Sequence, residues 1–186
     1  LHGASLVTTF RTQCFRWLPL VAACIAVGAA GSSLAAPDAL SMLLWKLDSL
    51  HRITAKPHRM ADSTVTFCEI TFNPNIHEGD ADPAYCHVYT NAAARQPLLD
   101  GAAAYPVGAV IVKSKLRDAT ATKPMLFTVM TKMKDGYDPA HGNWEYAVVD
   151  GSSLRILARG RIDSCIACHK EHKATDYITR TYLQRK

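Results

Sequence analysis

Near the end of the 186-residue chain, residues 164–172 read SCIACHKEH. Cys165 and Cys168 stand three apart, and His169 follows at once. Two thiols and an imidazole at this spacing can hold zinc, cycle as a redox disulfide, or fix a haem. A zinc site needs four ligands, usually from a second Cys or His pair at matching spacing. The sequence has no such pair, and His172 is an awkward further ligand one helical turn on. A thioredoxin-like pair follows a strand in a βαβ context, and none precedes Asp163. C-x-x-C-H is also the attachment signature of haem c. Its thiols add to the two vinyl groups, and its histidine is carried beneath the iron as axial ligand. The expectation is one covalently bound haem c, with thioethers to Cys165 and Cys168 and His169 as the proximal iron ligand. A structural disulfide is the plainer alternative.

The position of the motif constrains the rest. Only 17 residues follow His169, and none is a methionine. A sulfur ligand for the sixth iron site cannot come from downstream, and His172 lies on the proximal side. The opposite haem face must be built from residues before 165, and the iron is expected to be five-coordinate.

Apolar residues make up 48% of the chain and charged ones 20%, the balance of an ordinary globular domain. The length suits one domain with a real core. Arg11 and Arg16 precede an apolar run that ends in Ser33-Leu34-Ala35, and no acid occurs before Asp38. Residues 1–36 therefore read as a secretory signal peptide, or an uncleaved anchor if processing fails. The stretch from Trp17 to Ala30 is short for a membrane span of about 20 residues. The expected location is the periplasm, with membrane contact only through an uncleaved N-terminal segment. The net charge of +5 includes two basic residues of that segment. No Lys/Arg run with interleaved aromatics suggests nucleic acid.

The elements that must carry the motif can be read backwards from it. In residues 37–50, Leu40, Leu43, Leu44 and Leu47 recur at helical spacing after a Pro37-Asp38 start signal. From 64 to 160 the period changes to two. TVTFCEITF, CHVYT, VGAVIVKSKL, MLFTVMTKM, WEYAVVD and SLRILARG are β-rich runs separated by Pro, Gly, Asn and Asp. Asp150-Gly151 marks a hairpin. Residues 91–104 read as a short helix or helical loop. No long helical pattern separates the late strands, so the sheet should be mostly antiparallel. The predicted fold is α+β: a mostly antiparallel sheet with a few short helices and a haem on one face, in a single domain over residues 37–186.

YPVGAVIVKSKL, LFTVMTKMKDGYDPAHGNWEY and CIACHKEHKATDYITRTYL, in that order and spacing, resemble the cytochrome P-460 family. NIHEGDADPAYCHVYTN fits an upstream block of some members. The resemblance implies a β-rich haem c domain acting on small nitrogen species. The family includes enzymes that oxidise hydroxylamine and nitric-oxide-binding cytochromes c′-beta with apolar distal pockets. In the enzymes a lysine is bonded to the porphyrin edge, and Lys113 matches that position. On its own, a lysine in an apolar strand more often reaches solvent, the reading kept for Lys115. The sequence departs from the enzymes at Ser114, where a glutamate is frequent. It departs again in FTVM, where Phe127 or Thr128 stands in place of a strand carboxylate.

The resemblance makes FTVM the lining of the open haem face. Phe127, Thr128 and Met130 are distal candidates, although phenylalanine and methionine in strands are more often core. One of Cys86 and His87 should face the pocket by alternation. His87 is a candidate proton donor or else a hydrogen-bonded structural histidine. Cys68 and Cys86 could close a disulfide loop or remain two buried thiols. Two function classes follow. One is a redox enzyme acting on hydroxylamine or nitric oxide and passing electrons to another cytochrome. The other is a nitric-oxide-binding or electron-transfer cytochrome, as a homo-oligomer or as a subunit of a larger assembly.

Overall fold

Five of the runs read with a period of two form strands, two short strands form before them, and every pairing is antiparallel. The computed structural model describes residues 38–60 and 85–183. Its single sheet contains β1 (His51–Arg52), β2 (His58–Arg59), β3 (Tyr85–Thr90), β4 (Val110–Leu116), β5 (Leu126–Lys132), β6 (Trp144–Asp150) and β7 (Ile156–Gly160). Their order is β1-β3-β4-β5-β6-β7, with β2 also paired to β3. From β3 to β7, sequential strands are neighbours, as short connections favour. The signal or anchor segment, the strand expected at 64–72 and Cys68 lie outside the described residues. Among those described, no helix is long and apolar enough to cross a membrane.

The register fixes which side chains share a face. Lys113 of β4 stands opposite Val88 of β3 and Thr128 of β5, while Val112 stands opposite Tyr89 and Val129. Alternation then sorts the sheet into two faces. Val88, Ile111, Met130, Trp144 and Tyr146 belong to one core. Val112, Phe127, Val129, Ala147 and Val149 belong to the other.

Each core is closed by helical segments. The second is covered by α1 (Ala39–Trp45), whose Leu40 and Leu44 are buried, with Leu43 and Leu47 packed against them. The Asp38 carboxylate accepts a hydrogen bond from the Leu40 amide at 2.8 Å, capping the first turn. The helix is shorter than the pattern implied, because residues Leu47–Ser49 tighten into a 3₁₀ turn, a common helix ending. The first core receives Ala94 and Leu98 of α2 (Ala92–Asp100). That helix starts on an Asn91 cap and ends at Gly101, whose φ of 70° is the left-handed ending that glycine permits. Then come α3 (Asp163–His169), a 3₁₀ stretch Lys170–Thr175, and a tail that returns Tyr177, Ile178 and Tyr182 to the first core.

The β6–β7 connection is longer than a two-residue turn. Asp150 N–H donates to Arg155 O at 2.9 Å, and the Asp150 carboxylate accepts from the amides of Ser152 and Ser153. Gly151 is needed here for space: a Cβ would stand 2.1 Å from the Pro124 carbonyl oxygen.

Candidate functional site

α3 has only two turns, and its work is to present one side. Residues three apart on a helix share a face, so Cys165 and Cys168 both border one cavity of about 540 Å³. The opposing wall is the first sheet face: Cys86 and Val88, Ile111 and Lys113, Thr128 and Met130, and Tyr146. His169 and His172 border the cavity from the helical side, and Ile178 and Tyr182 from the tail. The tail is thus a wall of the site.

His169 is oriented by its own tail. Its Nδ1 lies 2.7 Å from the Tyr177 carbonyl oxygen, so Nδ1–H donates and Nε2 keeps its lone pair. Burial first, with smaller help from the charges of Lys113 and His172, lowers the His169 pKa to about 4 against the opposing Tyr177 bond. A neutral imidazole with one nitrogen engaged and the other available is a metal ligand in waiting. The Tyr146 ring lies 5.5 Å from the His169 ring, tilted by 51°. The Tyr146 hydroxyl is buried without a hydrogen-bond partner among the described residues. Burial, then the neighbouring Cys165, raises its pKa and keeps it a neutral phenol.

The register decides between Phe127 and Thr128. Thr128 pairs with Lys113 and borders the cavity, whereas Phe127 pairs with Ser114 and packs in the far core beside Val149. Phe127 is therefore not on the cavity wall. Phe127→Ala should cost about 3–5 kcal/mol of stability, the usual range for a buried Phe→Ala change, and leave the haem spectrum unchanged. Denaturant unfolding beside visible absorption checks both halves.

On β3, Cys86 is buried on the wall and His87 points the other way, with Nδ1 3.0 Å from the Thr54 hydroxyl. The distal proton-donor reading of His87 therefore gives way to that of a hydrogen-bonded structural histidine. Burial, then Arg52, lowers its pKa against the Thr54 bond. The Cys68–Cys86 pairing lies outside the described residues. Lys115, expected to reach solvent, is only 3% exposed. It sits on β4, which has partner strands on both sides and offers no edge to escape from.

Some lining residues were not read from the sequence. His58 and Arg59 of β2 border the cavity, but a two-residue strand carries no period to detect. Glu171 borders it too, as the carboxylate among the described lining residues. It is exposed and lies in the 3₁₀ stretch rather than in β5. Its signal was adjacency to the motif, in CHKEH.

The residues present fit a haem c. Two thiols on one helix face, an imidazole with a directed Nδ1 hydrogen bond, a partnerless buried phenol and an apolar wall suit a covalently held porphyrin. No group of three His, Cys, Asp or Glu side chains that could cage a metal ion occurs among the described residues. No curated protein matches the chain. The sequence profile of the cytochrome P-460 family matches residues 66–180. The match spans most of the sheet, the cavity wall and the motif, and the chain belongs to the cytochrome P-460 family of haem cytochromes.

Proposed function

We propose that the protein is an exported, mono-haem c-type cytochrome whose His169-ligated, five-coordinate iron carries out redox chemistry on hydroxylamine or nitric oxide. One observation carries the reading. Cys165, Cys168, His169 and Lys113 border a single cavity whose sheet wall is otherwise mostly apolar. When bound, haem supplies an iron that exchanges single electrons and offers an open coordination site. Cys165 and Cys168 would tether it, and His169 would hold its iron through Nε2. Arg59 supplies a cation suited to the propionates. Val88, Ile111 and Met130 keep the wall dry, so a small uncharged ligand is favoured over a bulky or charged one. Lys113 is the residue proposed to bond to the porphyrin edge. Electrons then pass to another cytochrome, in the periplasm.

A second reading has its own support. Thr128 stands across from Lys113 where the resemblance to the enzymes calls for a carboxylate, and Glu171 is exposed on the other side of the cavity. This favours nitric oxide binding or electron relay without turnover. One experiment addresses the shared core of both readings. The ferrous protein should bind carbon monoxide and nitric oxide, and the resting ferric protein should lack a methionine–sulfur band. A low-spin spectrum carrying that band would overturn the open site and make Met130 a ligand. Hydroxylamine-dependent reduction of an artificial electron acceptor separates enzyme from binding protein.

A further inference from the structure

Just after the motif, two consecutive non-glycine residues take positive φ: Asp176 at 52° and Tyr177 at 66°. This region is disfavoured for residues with side chains, so something must hold the pair there. Asp176 is 6% exposed. Its Oδ2 accepts from the Tyr105 amide at 2.8 Å and from Lys132 Nζ at 2.5 Å. Its main-chain carbonyl accepts from Trp144 Nε1 at 2.8 Å. One residue is thus tied to the loop before β4, the end of β5 and the start of β6. A carboxylate–ammonium pair this deep is costly to desolvate, and neither member borders the cavity.

What the turn achieves lies one residue on. The Tyr177 carbonyl is aimed at His169 Nδ1. The Tyr177 hydroxyl is anchored by donating to Ala140 O at 2.8 Å. Gly142 leaves the necessary room, since a Cβ there would stand 2.6 Å from the Tyr177 ring and 2.8 Å from Asp176 Oδ1. We propose that Asp176, held by Lys132, is a positioning residue for the iron ligand: it fixes the left-handed turn that sets the Tyr177 carbonyl on His169 Nδ1, and so sets the orientation and basicity of the imidazole. This rests on the reading of His169 as the haem ligand. A firm acceptor on Nδ1–H makes the imidazole a stronger donor to iron, which strengthens the iron–histidine bond and favours the ferric state.

Asp176→Asn in the haem-loaded protein keeps the size and loses the charge that holds Lys132. The expected result is an iron–histidine stretch shifted to lower frequency in resonance Raman spectra of the ferrous protein, with a reduction potential shifted upward. Gly142→Ala, which changes no charge, presses on the same turn and should move both readouts in the same directions. It decides the matter if Asp176→Asn does not fold. If the variants lose thermal stability while stretch and potential stay at their wild-type values, the pair is structural only and the proposal falls. If wild-type protein gives no iron–histidine stretch at all, the ligand reading has failed, and the positioning role fails with it.

Discussion

Replacing both Cys165 and Cys168 with alanine should abolish covalently held haem. Acid-acetone should extract no haem from the denatured wild type and all of it from any variant that still binds it. The two thiols border the same cavity from one face of α3, and a thioether survives unfolding whereas an iron–imidazole bond does not. A single replacement should leave one thioether and an intermediate yield. His169→Ala tests the other half of the site: the haem should stay attached while its spectrum loses the histidine-ligated form. These losses are close to complete because Cys86, the remaining described cysteine on the cavity border, has no second cysteine three residues away. Haem extractable from intact wild-type protein would refute the covalent assignment.

The spacing of Cys165, Cys168 and His169 could be read directly, and the structure sets all three on one cavity border. The sheet was nearly as legible: five runs of period two became β3 to β7, since turn residues marked where each had to stop. Register was not legible. A one-residue shift in pairing exchanges the two faces of a strand, and both FTVM and YCHVYT are apolar enough to bury either face. Only the pairing of Lys113 with Thr128, and of Cys86 with Lys115, removes Phe127 and His87 from the cavity. The clamp on the His169 hydrogen bond was invisible for another reason. Tyr105, Lys132, Trp144 and Asp176 are far apart in sequence, and none carries a local pattern. β1 and β2 escaped because two residues cannot display a period.

Lys113 should be found bonded to the porphyrin edge, joined through the haem to the peptide that carries Cys165 and Cys168. The register puts it on the same sheet face as Ile111 and Met130, and it borders the cavity from a strand with neighbours on both sides. Its charge reaches into the site, helping to lower the His58 and His169 pKa values after burial has done most of the work. A bond from its nitrogen to the macrocycle would distort the ring and change its electronics, one of the levers a protein has on this cofactor. The ferrous absorption bands should therefore lie to the red of an ordinary haem c and return toward it in Lys113→Ala. Mass spectrometry of a haem-bearing digest checks the bond directly. Joined peptides with a red-shifted spectrum favour the redox enzyme. Peptides that separate cleanly, with a spectrum indifferent to Lys113→Ala, would remove the cross-link. Ser114 and Thr128 would then weigh more heavily, since both stand where the resemblance to the hydroxylamine-oxidising enzymes calls for an acid, and the protein would be a nitric-oxide-binding or electron-transfer cytochrome.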